Sequence, residues 1–285
     1  MNAFILKPHR ALQPYIRQYV YCEIGEPGKW THSNMAPPGC TQLSIVAGRA
    51  NILIGEDDKP ANKYEPVTFV GQTTRFKKVS FYDRIKSFFV IFQPYGAYQL
   101  LGIHQGECKN LCINLTDLWG SSAKYIREEL SQQILAKDIR QVLENYLLKR
   151  IPQSTKLEND HLARVVKQIN LYCNQHALIE KLCRGEGYSI STLERHMKRM
   201  VGMSPKQFQR IVRFNAALKY IKQNGKQCNW SRIANTFGYF DQSHFIKEFK
   251  FFYGKTPSEY SLLDNHYLSN IALPKIHKAS RAPST

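Results

Sequence analysis

Two periods divide this chain. Over roughly the first hundred residues, apolar positions fall in short runs at 17–24, 41–47, 51–55, 67–72, 76–81 and 86–92. These runs are rich in Val, Ile, Phe and Tyr, and Gly, Pro, Asp or Asn punctuates them. Several short β-rich runs at that spacing predict a small sandwich or barrel. Pro94 opens a helical stretch reaching about Leu101. A longer helical pair is predicted over 121–150, where Tyr125, Leu130, Ile134, Ile139, Val142, Leu143, Tyr146 and Leu147 recur mainly at spacings of three and four. The stripe from Ile139 to Leu147 is wider than a short peripheral helix needs for its own core contact, which makes it a candidate dimer face. The competing expectation is that all of it packs beneath the β-domain. Pro152 and the polar residues around it interrupt the pattern, as a linker would. From His161 onward the chain reads as helical throughout, and beyond Asp264 it becomes polar and basic.

The helical part contains a repeat. Residues 193–205 and 245–257 align at a spacing of 52: Arg195 falls on Lys247, Lys198 on Lys250, Gly202 on Gly254 and Pro205 on Pro257. A fixed period means one structural unit used twice. Each copy is a basic helix that stops at glycine. Ahead of the first, 179–183 predicts a short helix, 185–187 a turn and Ser189 an N-cap. Leu193 and Met197 then face inward, while Ser191, Glu194, Arg195 and Lys198 lie away from that seam. Ahead of the second, a helix over 230–236 precedes Gly238 and the cap Asp241. There Phe245, Phe249 and Phe252 face inward, and Gln242, Ser243, Ile246 and Lys247 outward. Both copies read as helix-turn-helix units, whose second helix enters the major groove. Apolar residues over 207–222 predict a connecting helix of about 24 Å, able to hold the two probes roughly one DNA turn, about 34 Å, apart.

Charge sharpens this reading. The net charge of +18 is uneven: residues 1–160 carry 20 Lys/Arg against 15 Asp/Glu, and residues 161–285 carry 20 against 7. The helical part is therefore +13 against +5, which points to a polyanionic partner there. Seven cysteines without framework spacing read as reduced thiols. With no secretory leader pattern and no apolar run of spanning length, the cytoplasm is the expected location.

Over about 161–263 the sequence closely resembles the DNA-binding domain of the AraC/XylS family of bacterial transcription regulators. Leu182-Cys183, Ser189, Leu193-Glu194-Arg195, Gly202, Ser204-Pro205, Arg213, Ala216-Ala217, Ile233-Ala234, Gly238-Tyr239, Asp241 to Phe245, Phe249-Lys250 and Gly254 to Pro257 carry the resemblance. Cys183, Met197 and Tyr239 depart from the usual residues but keep their apolar character. More weakly, 37–43, 92–102 and 115–120 resemble a sensor-like domain that precedes this DNA-binding domain in many members. The resemblance implies an α+β chain: a cupin-like β-domain at 1–152, a linker at 153–160, a double helix-turn-helix at 161–263 and a flexible tail at 264–285. It further implies double-stranded promoter DNA and RNA polymerase as partners, activation of transcription, a homodimer and no cofactor. By position, Ser191, Glu194, Arg195, Gln242, Ser243, Ile246 and Lys247 would touch bases. Arginine suits guanine, glutamine adenine, and glutamate cytosine. Lys198, Arg199, Lys250 and Lys255 would meet phosphates.

The β-domain offers weaker signals. Trp30, Tyr64, Tyr82 and Trp119 supply stacking surfaces, and Arg75, Lys77, Lys78 and Arg84 supply positive charge, for a small polar or anionic effector. His104, Cys108 and Cys112 are four apart, as ligands on one helix face would be, but no fourth ligand accompanies them, so no metal is expected. No phosphate-binding glycine loop and no catalytic triad or carboxylate pair can be located, so no enzyme is expected. A β-domain that serves as a protein-interaction platform, or that converts a small molecule while the helices target it to DNA, is the alternative.

Overall fold

A computed structural model describes residues 2–47, 52–55, 62–63, 65–120, 128–129, 136–151, 157–175, 177–225 and 228–261. Among the described residues the β-rich part contains ten strands: β1 (Asn2–Leu6), β2 (Ile16–Ile24), β3 (Trp30–Met35), β4 (Gln42–Ala47), β5 (Ile52–Gly55), β6 (Asn62–Lys63), β7 (Val67–Val70), β8 (Lys77–Tyr82), β9 (Ile85–Phe92) and β10 (Cys112–Asn114). They form a six-stranded sheet in the order β1-β2-β9-β4-β7-β10 and a four-stranded sheet in the order β3-β8-β5-β6. All pairings are antiparallel. Alternation along β2, β4 and β9 sorts side chains to two faces. Val20, Cys22, Val46, Phe89 and Ile91 meet Val79 and Phe81 between the sheets. Tyr19, Leu43, Ile45, Phe88 and Val90 point the other way, under the helices α1 (Gly96–Leu101), α2 (Leu115–Trp119) and α3 (Ala136–Leu148).

That packing decides the stripe on α3. Ile139, Leu143 and Leu147 are buried in the β-domain core, and Val142 and Tyr146 pack against it. The stripe is therefore intramolecular, and the dimer face expected on it is corrected accordingly. A helix of 13 residues lying on a sheet needs its whole apolar face for that contact. The opposite flank of α3 faces solvent. With Phe4, Leu6 and His9 of the β1 end it lines an open groove of about 660 Å³. The first part of the expected helical pair lies outside the described residues, apart from 128–129, as does the tail beyond Ser261.

The helical part contains α4 (Leu157–Tyr172), α5 (Leu178–Glu186), α6 (Ile190–Met200), α7 (Pro205–Asn224), α8 (Trp230–Thr236), α9 (Gln242–Tyr253) and α10 (Pro257–Ser261). Its core runs from Leu162, Val165 and Ile169 through Leu193 and Met197 to Phe208, Phe214, Phe245, Phe249 and Phe252. Ser204 caps α7 by accepting from the Gln207 amide at 3.3 Å, with Pro205 at the first helical position. Its 20 residues make α7 about 30 Å long, longer than the pattern from 207 to 222 predicts.

The two parts are joined by specific contacts. Asn215 on α7 donates to the Pro37 carbonyl at 3.1 Å, and Gly39 lies against Phe208 and Ile211. Ala36, in the loop after β3, belongs to the helical core.

Candidate nucleic-acid interface

Each helix-turn-helix is built by a left-handed glycine and a side-chain cap. In the first, α5 stops at Gly187, whose φ of 70° suits a residue without Cβ. Ser189 then accepts from the Thr192 amide at 3.1 Å and starts α6. Leu193, Met197 and Met200 seat that helix in the core. In the second, Gly238 has φ of 70° and a backbone placed so close to the Asn174 carbonyl that a Cβ would lie 2.2 Å from its oxygen. Asp241 accepts from the His244 amide at 2.7 Å and starts α9. Phe245, Phe249 and Phe252 seat it.

What remains outward is a polar, basic set. Ser191 and Arg195 on α6, and Gln242, Ser243 and Lys247 on α9, are exposed; Glu194 and Ile246 are half-buried. Lys198 and Lys250 are exposed near the ends of the two helices, and Lys255 is half-buried just beyond α9. Arg199 differs from these. Its guanidinium lies 5.6 Å from the centre of the Tyr98 ring, toward the β-domain.

Behind this surface an ion-pair network braces the second unit. Glu248 is buried and accepts from Arg210 through both oxygens, with the Nε contact at 3.2 Å. Arg213 approaches the same carboxylate at 4.0 Å, donates to the Gly238 carbonyl at 3.1 Å and stacks 4.6 Å over Tyr239. Arg213 thus ties the connecting helix to the second turn. Its place in the sequence resemblance was the only signal of that role, and Glu248 gave none because an acid on a basic helix reads as solvated. In the first unit Glu186 joins Arg164 and His161 of α4. The Arg164 guanidinium, helped by His161, holds its carboxyl below the usual range against the opposing effect of burial.

The β-domain reaches the far ends of both outward helices. The Gln105 amide donates to the Arg199 carbonyl at 3.0 Å, and the Gly202 backbone packs on the Gln105 carbonyl. At the equivalent place in the second unit, Asn34 donates to the Tyr253 carbonyl at 2.8 Å and the Phe76 ring lies over Gly254. The Arg75 guanidinium stacks 5.0 Å from the Phe251 ring, so this basic residue is engaged between domains.

Of the expected effector residues, the structure describes the side chains of Trp30 and Tyr82. Trp30 and Tyr82 meet at 5.7 Å on β3 and β8, and both are exposed, on an open face of the smaller sheet. Tyr64 and the Trp119 side chain lie outside the described residues. His104, Cys108 and Cys112 do not share a helix face. The chain from 103 to 111 is a loop with Asn110 at φ of 63°, and Cys112 opens β10. Among the described residues no group of three or more His, Cys, Asp or Glu is arranged to hold a metal ion. None of the described helices is long and apolar enough to cross a membrane.

Two family models match the chain. One, described as a helix-turn-helix domain, covers residues 182–262; the other, a domain of unknown function (DUF6597), covers residues 5–114. Curated proteins include no match. Among solved structures, ToxT from Vibrio cholerae is 13% identical, over 85% of this chain and 97% of that one, with a TM-score of 0.47. A probable AraC family transcriptional regulator from Rhodopseudomonas palustris CGA009 is 23% identical, over 40% of this chain and 99% of that one, with a TM-score of 0.32. The AraC-like transcriptional activator CuxR is 14% identical, over 63% and 70% respectively, with a TM-score of 0.28.

Proposed function

We propose that this chain, an AraC/XylS-type DNA-binding regulator of transcription by its double helix-turn-helix, reads promoter DNA with both α6 and α9 and adjusts that reading through its β-domain. The observation that carries the proposal is the pair of capped helices whose outward faces are polar and basic: Ser191 and Arg195 on one, Gln242, Ser243 and Lys247 on the other. In this reading those five, with Glu194 and Ile246 at the flanks, meet bases. Lys198, Lys250 and Lys255 meet phosphates, and Arg199 serves the domain contact instead.

Responsiveness to an effector is supported by the seating of the β-domain on the ends of both helices. A ligand that binds the seated and unseated arrangements with different affinity changes DNA affinity when DNA also binds the two arrangements differently. Trp30 and Tyr82 would then offer an aromatic surface rather than an enclosed pocket. A homodimer, contact with RNA polymerase, activation and a cytoplasmic site of action complete the proposal.

The test is a salt titration of the full chain on duplexes selected from a random pool. Affinity should fall steeply with salt, with a slope near −0.9 for each phosphate neutralised. Binding that is absent, or indifferent to salt and sequence, would refute it.

A further inference from the structure

We propose, resting on the reading of α9 as a groove-entering helix, that Phe240 is an apolar DNA contact that makes the second unit prefer a thymine. Phe240 is 86% exposed, whereas the other exposed large apolar side chains among the described residues are 40–49% exposed. A single exposed apolar residue means little by itself, but the position of this one is specific. It directly precedes the N-cap Asp241, and the N-terminal end of the second helix is the part of a helix-turn-helix that meets base edges. Gln242 and Ser243, exposed beside it, share that end.

The backbone holds Phe240 there from both sides. Its amide donates to His244 Nδ1 at 3.3 Å, while the His244 amide donates to Asp241 at 2.7 Å. Before it, Tyr239 is buried beneath Arg213, and Gly238 is pressed on Asn174. The ring is therefore presented outward by a fixed turn.

The repeat shows what an aromatic does here when it is structural. Tyr188 lies 52 residues earlier, also just before its cap, and it turns inward edge-on to His196 at 5.5 Å. The residue equivalent to His196 is Glu248, whose carboxylate is engaged by Arg210 and Arg213. An inward Phe240 would meet a carboxylate in place of a ring, so the second unit offers it no matching partner. A phenyl ring neither donates nor accepts hydrogen bonds, and the base-edge feature it can read in the major groove is the thymine methyl.

The experiment uses the full chain on its selected duplex, with each thymine replaced in turn by deoxyuridine, and compares the native residue with Phe240→Ser and Phe240→Leu. The native chain should lose about fourfold in affinity at one thymine, the equivalent of one methyl group returned to water. Phe240→Ser should lose at least that much on the thymine duplex and become indifferent to deoxyuridine there. Phe240→Leu should retain most of the discrimination. The salt slope should be the same for all three, because no phosphate contact is removed, and melting temperatures should match because the ring is in water. Unchanged DNA binding by Phe240→Ser would overturn the proposal and reassign the ring to a protein partner. Equal losses on thymine and deoxyuridine duplexes would overturn it in favour of a sugar or turn contact. Failure of the native chain to bind any duplex would instead sink the DNA-binding reading beneath it.

Discussion

Gly254→Ala separates the intrinsic cost of a helix stop from the cost of disturbing the domain contact. Gly254 ends α9 with φ of 81°, a conformation that costs an L-residue about 1–2 kcal/mol. A Cβ there would also lie 2.6 Å from the Phe76 ring and 2.9 Å from Asn34 Nδ2, the donor to the Tyr253 carbonyl. Overpacking of that kind adds about 1–3 kcal/mol. Phe76 is half-buried and can swing partly aside, so the lower part of that range is expected. Gly187→Ala is the matched control. Its φ is 70° and nothing lies within 4 Å of its added Cβ, so it carries the backbone strain alone. In chemical denaturation Gly254→Ala should cost about 1–2 kcal/mol more than Gly187→Ala, and the difference should shrink in the Phe76→Ala background. DNA affinity should fall with Gly254→Ala if the β-domain holds α9 in register. Equal costs for the two glycines, unaffected by Phe76→Ala, would refute the seating of the β-domain on α9.

Other expectations follow from individual side chains. Arg195→Ala should lose about 1–3 kcal/mol on the selected duplex and relax preference at one base pair. Lys250→Ala should weaken all duplexes alike and reduce the salt slope by about one; the reverse pattern in binding isotherms would exchange their roles. A fragment of residues 155–285 should keep a salt-dependent affinity for DNA but bind more weakly than the full chain, because it loses the contacts of Gln105 and Asn34; equal affinity in a side-by-side titration would make the β-domain irrelevant to DNA binding. Lys222, near the end of α7, has its pKa lowered to about 7 by burial, against about 10.4 in an unfolded chain. The unfolded state therefore binds the extra proton between these values, and stability should rise with pH across that window. Lys222→Met should flatten the rise measured by denaturant titration at pH 7 and pH 10.

The two outward helices were legible because a repeat declares itself without tertiary information. Caps at Ser189 and Asp241 and stops at Gly202 and Gly254 then set their bounds. Six strands, β2, β4, β5, β7, β8 and β9, were legible as well, as runs rich in Val, Ile, Phe and Tyr between turn residues. β3 was not, because its residues, Trp-Thr-His-Ser-Asn-Met, are mostly polar and alternate between exposed and half-buried at its start; neither was β10, with three residues. The stripe on α3 was visible, but an apolar stripe records that something covers it and not what. Whether the neighbour is a sheet of the same chain or a second copy is decided by topology, and here the sheet takes Ile139, Leu143 and Leu147.

The domain contact escaped the sequence for a different reason. Its hydrogen bonds end on backbone carbonyls of Pro37, Arg199 and Tyr253, and a carbonyl carries no residue signature. The one trace of it is hidden inside the repeat. Gly202 and Gly254, 52 apart, read simply as helix stops, yet each is also where the β-domain packs against the backbone, through the Gln105 carbonyl at one and Phe76 at the other. The same missing Cβ thus ends the helix and admits the neighbouring domain. The β-domain therefore grips both units at equivalent points, while α7 joins them along about 30 Å of helix. Two independent supports then set the spacing of α6 and α9. α7 is a single helix and changes its length little, so the adjustable support is the β-domain. A shift there of the segments carrying Asn34, Phe76 and Gln105 would move α6 and α9 together, as the proposed regulation of DNA reading by the N-terminal half requires.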